Sequence, residues 1–240
     1  GRWTHDFSSS SEMSLQMYYD RTDREFGVGR ELRDTLDLDA QHRFELGDRQ
    51  EIVWGGAYRY SADDIAESAD FRMRDPNDRV QLLSAFVQDE ITLAPERLHL
   101  TLVTKVEHHQ FTGVEVQPSG RLAWTPGGKQ TIWAAVSRAV RTPSRAERDF
   151  GVFGDPRPYL PALPFPVISP GLGNRDLVSE ELIAYELGYR VQIHPRLSLD
   201  CAAFYNDYDK LRSVTSLPLE VRTTPGPAPT APPSGRMRHD

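Results

Sequence analysis

From residue 12 to residue 208 the side chains sort by parity, one apolar and one polar in turn, in run after run. Residues 31–46 show it most cleanly. Arg33, Thr35, Asp37, Asp39, Gln41, Arg43 and Glu45 share one parity; Leu32, Leu36, Leu38, Ala40, Phe44 and Leu46 share the other, with Asp34 and His42 as the exceptions. Successive side chains of a strand point to opposite faces, whereas a helix of 3.6 residues per turn would scatter these residues around its circumference. Such a run folds as a strand with one apolar and one polar face.

The pattern recurs. Residues 12–20 set Met13, Leu15, Met17 and Tyr19 against Glu12, Ser14, Gln16, Tyr18 and Asp20. Residues 50–61 place Ile52, Trp54, Tyr58 and Tyr60 together, and 97–109 set Leu98, Leu100, Leu102 and Val106 against His99, Thr101, Lys105, Glu107 and His109. Runs at 115–125, 180–193 and 196–208 behave alike. Two are less clean: Asp89 falls on the apolar side of 81–93, and in 129–140 Arg138 falls on the apolar side while Trp133 falls on the polar one. With the opening residues, about ten strands are expected.

The connections alternate in length. Short turns fall at 8–11, 47–50, 94–97, 126–129 and 194–196; longer, more polar connections fall at about 21–30, 62–80, 110–114 and 141–179. A soluble sandwich has no reason to obey that rhythm. A barrel in an outer membrane does, because its periplasmic turns are short and its extracellular loops long. Each run is also close to the ~9–11 residues that cross a bilayer at a tilt. Trp54, Tyr58, Tyr60, Trp124, Tyr185, Tyr189, Tyr205 and Tyr208 lie toward strand ends, as interfacial aromatic girdles require; ordinary enrichment of strands in aromatics is the alternative. The expected fold is all-β, an antiparallel meander of about ten strands forming a partial transmembrane β-barrel over residues 1–217. A Pro-rich, low-complexity tail is expected at 218–240.

Composition removes other classes. No stretch approaches the ~18 apolar residues of a membrane helix, and mean hydropathy is -0.54, so a membrane role demands a closed barrel. A net charge of -7 leaves no basic footprint for nucleic acid. The single cysteine, Cys201, sits in an alternating run and reads as a small apolar residue. No Gly-x-Ser-x-Gly elbow, phosphate loop or His-Glu-x-x-His helix appears, so no enzyme, cofactor or metal centre is expected. The opening Gly1-Arg2-Trp3-Thr4-His5-Asp6 reads as mid-strand, and the N-terminus is expected to be a cut.

Several segments, in order, resemble the barrel of TonB-dependent outer-membrane transporters. They are Phe86-Val87-Gln88-Asp89-Glu90, Gln117-Pro118-Ser119-Gly120-Arg121-Leu122-Ala123-Trp124, Ser137-Arg138-Ala139-Val140-Arg141-Thr142-Pro143-Ser144, Gly173-Asn174-Arg175-Asp176-Leu177, Tyr185-Glu186-Leu187-Gly188-Tyr189 and Ala203-Phe204-Tyr205-Asn206-Asp207-Tyr208. Residues 1–66 fit more generally. The resemblance implies a bacterial outer-membrane location, lipid contact, and import of a scarce small-molecule ligand: a ferric siderophore first, or haem, cobalamin or a glycan. It also implies energy coupling to the TonB complex through a plug domain that these residues do not show. Members have roughly 22 strands and a plugged lumen, so this fragment by itself is not expected to transport. A passive porin or structural barrel, and a soluble β-rich binding module, are the alternatives.

Candidate ligand residues follow from position. Arg141 falls on the lumen side by parity, where it could meet an anionic ligand or plug carboxylates, or hold the loop base. His109 begins an external connection beside His108 and Glu107; adjacent strand residues point to opposite faces, which argues against one ion held by both histidines. In the Pro-rich 141–179 loop, Phe150, Phe153, Tyr159 and Phe165 could form an aromatic binding surface or pack on one another. Asp37 and Asp39 share a face and are expected to pair with Arg33 and Arg43 as a charged lumen wall.

Overall fold

The computed structural model describes residues 1–26, 29–68, 71–153 and 170–213. Its strands are β1 (Arg2–Ser8), β2 (Ser11–Phe26), β3 (Gly29–Leu46), β4 (Gln50–Ala66), β5 (Phe71–Met73), β6 (Asn77–Ala94), β7 (Leu98–His109), β8 (Gly113–Trp124), β9 (Gln130–Arg141), β10 (Phe150–Phe153), β11 (Pro170–Leu172), β12 (Glu180–His194) and β13 (Leu197–Asp209), with one short helix, α1 (Arg145–Asp149). Ten strands form one open sheet in the order β1-β2-β3-β4-β6-β7-β8-β9-β12-β13. Every neighbouring pair in it is antiparallel. The small strands β11, β10 and β5 make a second sheet. The expected tail at 218–240 lies outside the described residues.

Parity does what it promised, and burial is inverted relative to a water-soluble protein. The exposed row is the apolar one: Leu38 is 40% exposed, Leu187 55% and Ile193 63%. Among the described residues the buried apolar side chains are only Val53, Ile65 and Met73, while buried charge includes Asp37, Asp63, Arg145 and Asp149. A contiguous apolar face of this extent marks a surface that meets another apolar phase.

The exceptions to the pattern each have a partner on their own face. Asp34 accepts from the Tyr19 hydroxyl at 2.5 Å and lies 3.8 Å from Arg21. His42 accepts from the Trp54 indole at 3.2 Å, shares a hydrogen bond with Ser11 at 3.0 Å, and stacks on Phe44. Asp89 accepts from the Gln50 amide at 2.9 Å. Trp3, Phe7, Phe44 and Trp54 gather around His5 and His42 at the short-turn end, a girdle of amphipathic rings.

One expected connection is a strand extension. A loop is expected at 21–30, but the β2–β3 ladder continues to Phe26↔Gly29. The charges that broke the apolar pattern pair across the two strands, Arg30 donating to Asp23 at 2.7 Å, so the hairpin stays zipped. Strands of 16 to 18 residues rise about 50–60 Å, nearly double a bilayer's hydrocarbon thickness.

Two glycines let aromatics lie flat on the polar face. A Cβ at Gly55 would stand 2.5 Å from the Ala40 carbonyl oxygen and 2.7 Å from the Phe86 ring. Gly188 lies close against Trp133, and the Arg121 guanidinium lies over the same ring, 4.5 Å from its centroid. Gly55→Ala is therefore expected to lower stability by about 1–3 kcal/mol, since backbone on a neighbouring strand cannot retreat. The check is the urea midpoint in detergent micelles; an unchanged midpoint contradicts the close approach.

The β8–β9 seam is only partly paired, although each strand has 12 residues. Pairing runs only from Ser119↔Ser137 to Trp124↔Ile132, and Pro118 has no N–H to extend it. Above that point Arg138 donates to the Val116 carbonyl and reaches Glu181 at 2.9 Å and Glu115 at 3.7 Å. A charge on the apolar side thus serves as a staple where backbone pairing stops.

Candidate functional site

At the end of the sheet opposite the short turns, the two longest connections interlock. β10 pairs with β5, Phe150 opposite Met73, and on its other edge with β11. Residues far apart in sequence thereby build one roof over the polar face. Helix α1 begins with a capping box: the Ser144 hydroxyl accepts from Glu147 N–H at 3.3 Å, and the Glu147 carboxylate accepts from Ser144 N–H at 2.8 Å. Gly173 N–H donates to Phe150 O at 2.8 Å, and a Cβ on Gly173 would meet the Arg148 carbonyl oxygen at 2.8 Å. Only glycine lets the returning chain lie against the helix.

The roof is pinned by ions. Arg145, 8% exposed, donates to Asp63 and to the Asp75 carbonyl, and its Nε stands 3.5 Å from Asp78. Asp63 also faces Arg33 at 3.7 Å. Arg175 donates to Asp149 at 2.5 Å and to Asp75. Burial pushes the Arg145 pKa below the usual arginine value, while hydrogen bonds to Asp149 and Asp75 push that of Arg175 up. Charges held out of water require such partners. A capping-box spacing, Ser144 to Glu147, was the available sequence signal for α1; nothing local announces Asp63, Asp75 or Asp78 as its partners.

Arg141 lies in a four-membered cluster at the loop base. It donates to Glu147 at 2.7 Å and lies 3.4 Å from Glu180; Arg212 pairs with the same two glutamates, donating to Glu180 at 2.9 Å. His109 is half-buried on the polar face, accepts from Phe111 N–H at 3.2 Å, and holds its ring 5.0 Å from that of Phe111; His108 is exposed on the other face. No cluster of three metal-ligating side chains forms among the described residues. Phe150 is half-buried beside Gly171. The Phe153 side chain, Tyr159 and Phe165 lie outside the described residues.

Below the roof, the polar wall carries paired charge. The expected partners of Asp37 were Arg33 and Arg43; its partner is instead Arg59 on β4, donating at 2.7 Å, while Arg33 pairs with Glu31 and Arg43 with Glu51. The register places Asp37 directly opposite Arg59, which decides the choice. Arg59 also reaches the Tyr18 hydroxyl at 3.3 Å, and Lys105 donates to Glu107 at 2.6 Å. Asp37, Asp39, Arg59, Ser84, Phe86 and Lys105 line a hollow of about 320 Å³. The arrangement offers binding surface and fixed charge.

Comparison with known proteins agrees. A family model described as "TonB dependent receptor-like, beta-barrel" matches residues 1–227. No functionally curated protein matches the sequence. Among solved structures, the siderophore receptor PirA from Pseudomonas aeruginosa superposes with a TM-score of 0.68 at 19% identity, over 86% of this chain and 38% of that one. The ferric enterobactin receptor PfeA superposes at 0.67 with 20% identity, over 86% and 34%. The copper transporter OprC superposes at 0.50 with 14% identity, over 87% and 45%. The chain thus spans less than half the length of each of these structures.

Proposed function

The chain belongs to the TonB-dependent receptor β-barrel family, and on that premise we propose that it forms part of the barrel of a bacterial outer-membrane importer for a scarce ligand, a ferric siderophore first among the candidates. The apolar face meets lipid and the polar face encloses the lumen. The barrel portion covers 1–217, and the 141–179 loop forms part of the extracellular mouth. Arg141 braces that loop, and the candidate ligand residues beside it are His109, Phe150, Phe153 and Tyr159. Energy for release comes from the TonB complex through a plug domain elsewhere in the whole protein.

What carries this reading is the inversion of burial together with the family match: an apolar face turned outward, and charge buried at one end under an interlocked roof. The names of the neighbouring structures support an iron chelate as cargo. A passive porin fits less well, because the family is one of gated receptors. Copper is the second reading, favoured by the likeness to OprC.

The test uses the complete gene product in outer-membrane vesicles, with radiolabelled ferric enterobactin, a ferric hydroxamate and copper(II) as probes. Saturable binding of a ferric chelate is expected, with uptake into cells that stops when TonB is absent. Saturable binding of copper alone replaces the siderophore reading with the second one. Uptake that continues without TonB rejects the importer mechanism.

A further inference from the structure

The short-turn end carries a regularity of charge that the import of a ligand leaves unused. Four consecutive hairpins, β3–β4, β6–β7, β8–β9 and β12–β13, each place a cation in the position immediately before the returning strand: Arg49, Arg97, Lys129 and Arg196. The β1–β2 turn has Ser10 there instead. Three of the four are fixed to the next strand through the backbone. The Arg49 carbonyl accepts from Thr92 N–H at 2.7 Å, that of Arg97 from Thr125 N–H at 2.7 Å, and that of Lys129 from Gln192 N–H at 2.8 Å. Neighbouring hairpins lie two strand spacings apart, so the cations recur about every 10 Å along the rim.

All four residues are exposed, and among the described residues none of their side chains has a hydrogen bond or an ion pair. At the opposite end, by contrast, Arg30, Arg33, Arg141, Arg145, Arg175 and Arg212 each meet a carboxylate. Four cations against two acids, Asp48 and Glu96, leave these turns at +2, in a chain of net charge -7. Exposed apolar side chains stand just before each cation in the chain: Leu46, Leu93, Trp124 and Ile193. The cations therefore border the end of the apolar face. There a long basic side chain can rest its stem on apolar neighbours and hold its charge among lipid headgroups. Within a Debye length of anionic headgroups, each such charge is drawn to the membrane surface. This continuity with the apolar face favours a lipid over a soluble anion.

We propose that Arg49, Arg97, Lys129 and Arg196 form a cationic rim that holds the phosphates of anionic phospholipids in the leaflet beside the short turns, and so fixes the depth of the barrel. This rests on the membrane-barrel part of the importer reading and is independent of the cargo.

The experiment uses the complete gene product in phosphatidylcholine vesicles and reads the lipids at its perimeter by electron spin resonance. Spin-labelled phosphatidylglycerol, an anion, is compared with spin-labelled phosphatidylcholine. The wild type is expected to favour phosphatidylglycerol by about twofold, averaged over all the lipids it touches. A variant combining Arg49→Gln, Arg97→Gln, Lys129→Gln and Arg196→Gln is expected to show no preference. Its urea midpoint in phosphatidylcholine stays at the wild-type value, because no side-chain partner is lost. Arg49→Lys, Arg97→Lys and Arg196→Lys together keep the charge and the preference, and Asp48→Asn with Glu96→Gln raises it. A wild type without preference overturns the inference, as does a preference that survives in the neutral variant. So does one that inorganic phosphate erases at an ionic strength where chloride does not, which would mark a site for free phosphate. In each of these cases the barrel still enters vesicles and the importer reading stands. A gene product that enters no vesicle removes both.

Discussion

Replacing Arg145 with alanine will cost the folded protein about 3–5 kcal/mol, because the substitution strands buried carboxylates instead of merely deleting a contact. The Asp63 side chain is 5% exposed and would keep only the Asp78 N–H at 3.3 Å and Arg33, 3.7 Å away. The Asp75 carbonyl would lose its donor and Asp78 its nearest charge. Arg145→Lys is expected to recover little, since one ammonium cannot span acceptors that a guanidinium reaches from three nitrogens. Asp63→Asn combined with Arg145→Met should recover most of the loss, because removing both buried charges lifts the desolvation penalty that either one alone would carry. Denaturant unfolding in micelles supplies the free energies, and hydrogen exchange at α1, β5 and β10 shows where the loss falls. A cost under about 1 kcal/mol, with exchange unchanged, contradicts the role of Arg145 as the anchor of the roof.

That anchor also marks the boundary of what a reader of the sequence could have known. Parity assigned faces correctly down to its exceptions: Asp34, His42, Asp89 and Arg138 do lie on the apolar side, and Trp133 and Arg141 on the polar one. Each exception is resolved by a partner across a strand pair, which register dictates and parity alone does not show. The hairpin at 21–30 is illegible in the sequence for the same reason. Its charges look like a loop until Arg30 and Asp23 are seen to meet diagonally across two strands. The β5–β10 pairing and the Arg145–Asp63 contact join residues about eighty positions apart, with no periodicity to announce them. The loop-base charges are the least legible in the sequence. Parity singles out Arg141, which is engaged at the loop base, but gives no sign of Arg145 and Arg148 in the helix that follows.

The lipid-facing assignment makes the sharpest distinction between neighbouring residues. Leu187 is 55% exposed and lies near the middle of the apolar row that runs from Ile183 to Ile193 on β12. Its cross-strand neighbours on that face are Ala134 and Ala203, so an arginine placed there finds no carboxylate directly opposite. Glu186, one residue earlier, faces the polar side opposite Ala135 and Phe204. Leu187→Arg is therefore expected to cost about 2–4 kcal/mol in lipid vesicles, the penalty for a cation at mid-bilayer depth on a barrel's outer face. Glu186→Arg should stay within about 0.5 kcal/mol, as an exposed polar exchange does. Leu187→Ala separates the loss of side-chain contact from the cost of the charge. Unfolding by guanidinium in vesicles gives all three values. Equal costs for the two arginines would mean that both faces meet water, and the outward apolar row would then need a protein partner instead of a bilayer. A large difference leaves lipid as the phase against which β12 evolved, because no aqueous surface penalises one parity and spares the next.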